Sequence, residues 1–113
     1  ALVPVPLHQA RLRRRGYDQA LELARPLATA LDLPLRCDLL QRVRATAAQS
    51  ELDAAARRRN LRGAFRAGGR GLPAHVALVD DVMTTGATVH AAAEALRRAG
   101  VARVDAWVCA RAP

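Results

Sequence analysis

The stretch HVALVDDVMTTGATV, residues 75–89, decides the fold. Residues 76–79 form a continuous apolar run of the kind that is buried on both faces of a parallel sheet. Two aspartates follow at once, and a loop of threonines around Gly86 leads into a helical pattern. Ligands collect at the carboxyl ends of strands in open parallel sheets. The stretch therefore predicts a binding site where Asp80 and Asp81 end a buried strand.

The segments on either side of this stretch predict an α/β fold. A helix is expected over residues 88–99, ending at Gly100, because one of its faces is apolar. The residues of that face are Val89, Ala92, Ala93 and Leu96. VDAWVCA, residues 104–110, closes the chain as a strand. A strand, a helix and a strand in this order indicate a right-handed crossover, and hence an open, mainly parallel sheet with flanking helices.

Shorter patterns predict the elements of the first half. LVPVP, residues 2–6, is predicted to be a short strand that ends at its prolines. A helix over YDQALELARPLATAL is expected to begin at Asp18 and to be bent or interrupted by Pro26. The remaining predictions are a strand in residues 35–43, a short polar helix over residues 51–59 and a brief strand over residues 64–66.

Length and composition limit the class of protein. With 113 residues the chain has room for one domain, taken as residues 1–113. No apolar run approaches the ~20 residues that span a membrane. Cys37 and Cys109 form no CxxC pair, so we expect two buried, reduced thiols in a cytoplasmic protein. The chain opens at Ala1 inside an apolar segment, and we interpret it as a piece of a longer protein.

The charge points to phosphate-bearing partners. The net charge is +8, and all 18 basic residues are arginine. A basic surface indicates a partner that carries phosphate groups, either nucleic acid or a polyphosphorylated small molecule. The alternative is an arginine-rich surface that is solvated and binds no such partner. The absence of lysine excludes the P-loop, which needs a Gly-Lys pair.

The threonine loop has the features of a phosphate site. A helix start offers backbone N–H groups and a partial positive charge, and Gly86 allows the backbone to approach a ligand closely. The two aspartates would repel a phosphate, so we expect them to accept hydrogen bonds from hydroxyl groups nearby. Ribose 5-phosphate supplies both the phosphate for the helix start and the hydroxyl groups for the aspartates. The alternative is a threonine-capped helix in an ordinary loop, with both acids neutralised by arginines.

These residues resemble a known motif. VALVDDVMTTGATV is similar to the phosphoribosyl-pyrophosphate (PRPP) motif of type I phosphoribosyltransferases, which is an apolar strand, two acids, two further residues and Thr-Thr/Ser-Gly-x-Thr. VPVPLH, RGYDQALELA and RATAAQSELDAAARRRNLRGAF resemble the competence protein F (ComF) family, a branch of that superfamily. Tyr17 and Asp18 depart from the family's RGFNQ stretch. Its amino-terminal zinc module and the first elements of its sheet are missing.

The resemblance implies roles for residues along the chain. The catalytic acid pair is Asp80 and Asp81. A loop after the first strand meets the pyrophosphate through Pro6, Leu7 and His8, and Arg15 and Arg11 supply charge. Residues 44–63 correspond to a flexible lid that closes over PRPP and excludes water. The 5-phosphate site is implied at Thr84, Thr85, Gly86, Ala87 and Thr88, and the lid contacts at Arg44, Gln49, Arg57 and Asn60.

Two functions remain open at this stage. The first is PRPP binding with Mg²⁺, followed by transfer of the phosphoribosyl group to a nitrogen acceptor that the sequence does not identify. Mg²⁺ would be held chiefly by PRPP itself, so no metal is expected in the free protein. The second is a non-catalytic module for DNA uptake that binds single-stranded DNA or competence proteins through its arginines.

Overall fold

The structure is a computed structural model that describes residues 1–7, 18–43, 63–83 and 86–111. Two helices and five strands are described in this part of the chain. In chain order they are β1 (Leu2–Pro4), α1 (Gln19–Leu31), β2 (Leu40–Arg42), β3 (Phe65–Ala67), β4 (His75–Met83), α2 (Ala87–Ala99) and β5 (Arg103–Arg111).

The main sheet is parallel and has β4 at its centre. Its strand order is β1-β4-β5, and β2 and β3 form a separate antiparallel pair, named here the β2–β3 hairpin. Residues alternate between the two faces of β4, so Val76 and Leu78 join the core beneath α2, whereas Ala77 and Val79 join the core beneath α1. The predicted α/β class, with an open parallel sheet and flanking helices, is confirmed.

Helix α1 begins where the sequence predicts. The Asp18 side chain accepts hydrogen bonds from the N–H groups of Ala20 and Leu21, at 2.9 and 3.4 Å. The predicted interruption at Pro26 is wrong, because the helix continues to Leu31. Pro26 lies on the exposed side of α1, where water can reach the carbonyl group that its missing N–H would have bonded.

Helix α2 agrees closely with its prediction. It begins one residue earlier than expected and ends at Ala99, before Gly100 in the left-handed conformation at φ 118°. The four residues predicted for its apolar face, namely Val89, Ala92, Ala93 and Leu96, are all buried. On the opposite face Arg98 donates to Glu94 at 3.3 Å.

The short strands differ from their predictions in length. β1 ends at Pro4, but the N–H of Val5 still donates to the carbonyl of Val79 at 2.9 Å. Only Leu40–Arg42 of the strand predicted in residues 35–43 is a strand, although Leu35 forms a bridge with Leu2. The strand predicted at 64–66 lies one residue later, in β3. The helix predicted over residues 51–59 lies outside the described residues.

The cysteines are more exposed than predicted. Both Cys37 and Cys109 are free thiols at the surface. Cys109 lies in β5, the edge strand of the sheet, and α1 packs against β1 and β4 instead of covering β5. Within the part of the chain that the structure describes, no helix has the length and apolar character needed to span a membrane.

Candidate functional site

The acid pair lies near the carboxyl end of the central strand. The sequence predicts a buried run over residues 76–79 with the two aspartates at its end, and the strand continues to Met83. It continues because β5 is equally long and supplies a partner as far as Arg111, which pairs with Met83. Asp80 and Asp81 are therefore strand residues, held by the sheet instead of by a loop.

A cavity of 280 Å³ lies between the end of β4 and the start of α2. Its volume is just below the range for small-molecule sites, roughly 300–1,000 Å³. Asp80 lies on the β4 face that packs against α2, and it lines the cavity together with the first residues of that helix. The lining residues are Asp80, Val82, Met83, Gly86, Ala87, Thr88 and Val89.

Asp80 is in an unusual electrostatic environment. The pKa of its carboxyl is raised from 3.8 to about 7, chiefly by burial and also by the neighbouring Asp81 carboxyl, because two like charges disfavour ionisation. The N–H of Asp81 donates to Asp80 Oδ1 at 2.9 Å, and this bond acts in the opposite direction, as does the charge of Arg42. Asp81 Oδ1 accepts from the N–H of Val82 at 2.8 Å. Both carboxyl groups are thus oriented by local backbone bonds.

The start of α2 supplies the other half of the cavity. Gly86 caps the helix at φ 83°, a left-handed conformation that favours glycine, and it offers no capping side chain. The N–H groups in the first turn of a helix point along its axis away from the body of the helix, which makes a helix start a suitable place for an anion. Ala87 and Thr88 belong to this turn and line the cavity.

The structure adds Arg42 to this region. Arg42 is the only charged side chain that is buried within the described ranges, with 9% exposure. Its guanidinium carbon lies 4.8 Å from the centre of the Phe65 ring. Sequence reasoning did not select this residue. The available signal was the alternation of Leu40, Gln41 and Arg42, which places the arginine on the same strand face as a core leucine.

Comparison with known proteins gives the family. The chain matches the family model described as the phosphoribosyl transferase domain over residues 18–113, a range that includes β4, the cavity and α2. The chain belongs to the phosphoribosyl transferase domain family. No solved structure matches it.

Relatives of this phosphoribosyl transferase domain are named for competence and for DNA utilization. Competence protein F of Haemophilus influenzae is 43% identical over 115 residues, which cover 99% of this chain and 50% of the relative. The DNA utilization protein YhgH of Escherichia coli K12 is 43% identical over 110 residues, or 97% and 48% of the two chains. The resemblance to the ComF family is thereby confirmed. The chain spans about half the length of the curated relatives that it matches.

The structure brings some of the implied phosphoribosyl transferase residues together. Asp80, Gly86, Ala87 and Thr88 share the cavity. The half-buried Leu7 follows Val5, which is bonded to Val79, so it lies towards the same edge of the sheet as the acid pair. Asp81 and Pro6 are described but do not line the cavity. The remaining implied residues lie outside the described residues: His8, Arg11, Arg15, Arg44, Gln49, Arg57, Asn60, Thr84 and Thr85.

The described part of the site offers few ligands for a metal ion. Among the described residues no group of three histidine, cysteine or acidic side chains is placed to hold a metal ion. The acid pair does offer oxygen atoms, which are the ligands that Mg²⁺ prefers. Two neighbouring carboxyl groups suit an ion that a phosphorylated substrate already coordinates, and which they contact through its waters. The oxygen atoms of the described residues are therefore compatible with a Mg²⁺ ion that a ligand would bring to the site.

Proposed function

We propose that this domain binds PRPP together with Mg²⁺ and transfers the phosphoribosyl group to a nitrogen acceptor. One observation carries the proposal: Asp80 lines the same cavity as the first turn of α2. A phosphate group is complementary to the helix start, and sugar hydroxyl groups are complementary to carboxylates. PRPP has both on one ribose ring. Its 5-phosphate would lie against Gly86, Ala87 and Thr88, and its 2- and 3-hydroxyls would donate to Asp80 and Asp81.

This placement gives the acid pair two tasks. Hydrogen bonds to both ribose hydroxyls fix the sugar ring, so that its reacting carbon is held in one orientation. Departure of the pyrophosphate leaves positive charge on the sugar ring, and nearby carboxylates stabilise that charge. Bound Mg²⁺ would supply the charge that neutralises the leaving pyrophosphate.

The other implied residues complete the proposal. The loop that begins at Pro6 and Leu7 would bind the pyrophosphate through its backbone, and His8 and Arg15 would follow in the same loop. Residues 44–63 would shield the reacting carbon from water, with contacts from Arg44, Gln49, Arg57 and Asn60. Thr84 and Thr85 would complete the phosphate loop.

A calorimetric titration of PRPP tests the proposal. We expect saturable binding that is stronger with Mg²⁺ than with a chelator, because the metal neutralises the pyrophosphate. Ribose 5-phosphate should bind more weakly than PRPP, since it lacks the pyrophosphate. Free ribose, which lacks the 5-phosphate, is the control and should give no measurable heat. An affinity for PRPP no greater than that for ribose would contradict the proposal.

A DNA-binding role is the second candidate. The observations that favour it are the net charge of +8 and the relatives named competence protein F and DNA utilization protein YhgH. A competence protein is the alternative partner for a basic surface of this domain. The clusters that would form the basic rim, in residues 11–15 and 57–62, lie outside the described residues.

Salt dependence distinguishes this second role from the first. Single-stranded DNA held by arginines alone should bind weakly, with a log-log salt slope of about −0.7 per neutralised phosphate. Aromatic side chains that stack on bases would add affinity that resists salt. The sequence has only three aromatic residues, so we expect little of this contribution. We expect PRPP with Mg²⁺ to compete with the DNA, because both ligands need the same arginines. Fluorescence anisotropy with a labelled oligonucleotide measures both effects. Tight binding that survives high salt and ignores PRPP would favour the non-catalytic module.

A further inference from the structure

Strand β5 forms an open edge of the main sheet. Within the described residues it pairs only with β4, and none of its nine residues is buried. The opposite edge of the sheet is covered, because the N–H of Leu2 in β1 donates to the carbonyl of Pro34 at 2.8 Å and the N–H of Arg36 donates to the carbonyl of Leu2 at 2.9 Å. The backbone groups of a long exposed edge strand can pair with a further strand. In the described part of the chain, β5 is therefore the edge at which the sheet can be extended.

The side chains of β5 leave this edge unprotected. Trp107 is the register partner of Val79 and lies on the same face, but α1 packs against β1 and β4 instead of β5, so the indole is 38% exposed. On the other face Val108 is only partly covered by the core beneath α2. Residues 106–110 contain neither a charged residue nor a proline, which are the residues that commonly protect edge strands from pairing. The centre of β5 therefore has the character of a contact surface.

Symmetry and charge limit how a second copy of the chain can pair with β5. Two identical edge strands related by a two-fold axis run antiparallel, and each residue keeps its own face of the sheet. Pairing centred on Trp107 places Arg103 opposite Arg111 of the second copy, which brings like charges together. Pairing centred on Val108 places Asp105 opposite Arg111 at both ends of the contact, and a shift of one residue the other way from Trp107 brings no charges opposite each other. Charge complementarity therefore selects the register centred on Val108.

In this register the contact has an apolar centre. Trp107 lies opposite Cys109 of the second copy on the face that α1 leaves open. On the other face Ala106 lies opposite Ala110, and Val108 meets its own copy. Small and β-branched side chains allow two strands to approach closely, and the indole covers the thiol across the pair. Polar groups are thus confined to the two ends of the contact.

The charged groups at these ends are available to a partner. Asp105 Oδ2 lies 2.6 Å from His75 Nε2, and Asp105 Oδ1 lies 3.3 Å from Arg103 Nε. The hydrogen bond with His75 holds the pKa of Asp105 below its usual range, and Arg103 acts in the same direction, so this carboxylate is ionised at neutral pH. A carboxylate has room to accept a further bond. Arg111 is exposed and makes no ion pair with any described residue.

We propose that β5 is a homodimer interface, at which two copies of this chain pair antiparallel about Val108 and join their main sheets into one. The inference is independent of the proposed function. Because the paired strands run in opposite directions, the cavities at the carboxyl ends of the two β4 strands open at opposite ends of the joined sheet. Each cavity stays accessible to a ligand, so dimer formation and ligand binding can be measured separately.

Sedimentation equilibrium of the full chain tests whether this dimer forms. We expect the mass of two chains at high concentration and dissociation on dilution. Arg111→Asp places a carboxylate opposite Asp105 at both ends and should weaken the dimer by about tenfold, and Asp105→Arg should do the same by bringing two arginines together. An equimolar mixture of the two variants restores an opposite-charge pair at each end and should associate as the wild type does. Arg66→Asp makes the same charge reversal on an exposed residue of β3 and is the control.

Disulfide cross-linking tests the register. In a Cys37→Ser background, Trp107→Cys should form a disulfide with Cys109 of the second copy, because directly opposite residues of antiparallel strands lie close to disulfide range. When Cys109→Ser is added, the thiol at position 107 no longer has a cysteine opposite it, and no cross-link is expected. Non-reducing electrophoresis of the folded protein after mild oxidation measures both variants.

Each outcome supports or overturns the proposed interface. A wild-type chain that stays monomeric at all concentrations would overturn it and would leave β5 open to a different partner. A dimer that Arg111→Asp does not weaken, or a cross-link that persists without Cys109, would assign the contact to another surface or register. If Asp105→Arg does not fold by circular dichroism, Arg111→Asp and the cross-link still decide. Loss of association in Arg111→Asp together with a cross-link that requires Cys109 supports the proposal.

Discussion

Asp81→Asn and Thr88→Val should each weaken PRPP binding by roughly ten- to a hundredfold and leave the domain folded. Asp81 is assigned to a sugar hydroxyl and Thr88 to the 5-phosphate, so each substitution removes one charge-assisted hydrogen bond. Such a bond contributes about 1.5–3 kcal/mol, and every 1.4 kcal/mol is a tenfold change in affinity. Both substitutions preserve side-chain size, so little change in core packing is expected. Isothermal titration calorimetry with PRPP and Mg²⁺ measures the loss.

Matched variants on α1 control for the substitutions themselves. Thr29 is an exposed threonine whose hydroxyl donates to the carbonyl of Arg25 at 3.2 Å, and Thr29→Val makes the same chemical change away from the cavity. Asp32→Asn removes a carboxylate from the exposed C-cap of the same helix, at a φ of 53° that asparagine tolerates. Both should bind PRPP as the wild type does. Full affinity in Asp81→Asn and Thr88→Val as well would remove the assignment of the motif to PRPP.

Asp80→Asn should stabilise the ligand-free domain at alkaline pH but not at acid pH. The pKa of Asp80 is about 7 in the folded chain against 3.8 for an ordinary aspartate. Between these values the unfolded chain has lost this proton while the folded chain keeps it. The wild-type free energy of unfolding therefore falls as pH rises from about 4 to 7, and the cost of the buried charge is complete above pH 7. Asparagine is neutral throughout and avoids that cost.

The magnitude of this effect follows from the shift in pKa. Each pKa unit corresponds to 1.36 kcal/mol, so the shift sets an upper limit of about 4 kcal/mol. Asp80 keeps some contact with solvent, which screens its charge, and we expect a difference of about 1–3 kcal/mol at pH 8. Urea unfolding of wild type and Asp80→Asn at pH 4 and pH 8 measures it. The pH 4 pair is the control, because both side chains are neutral in the folded state there. A difference that is the same at both pH values would contradict the assigned pKa.

The elements that the sequence predicted correctly depend on local patterns. The apolar run 76–79 has to be buried on both faces, and α2 has one apolar face with glycine at both ends, so neither element has a competing interpretation. The Asp18 cap is also local, because the side chain bonds N–H groups two and three residues away. These features place the acid pair and the helix start next to each other along the chain.

The elements that were mispredicted depend on distant partners. β4 extends past the acid pair because β5 provides partners for Asp80, Val82 and Met83, a consequence of the length of another strand. Pro26 is tolerated because it falls on the solvent side of α1, and Cys109 is exposed because α1 lies over β1 and β4. In each case the surroundings of the residue were set by packing between segments that are distant along the chain.

The sequence by itself therefore determined the α/β class, the order of the central elements and the motif that carries the candidate site. Consecutive residues are enough for these, since an apolar run, an acid pair and a glycine-led helix start act within a few residues. Only the tertiary structure decided that Asp80 is half-buried in a cavity with a pKa of about 7, and that Arg42 is buried against Phe65. Arg42 and Phe65 are far apart along the chain, and burial of this kind arises only when β2 and β3 pair and pack against α2.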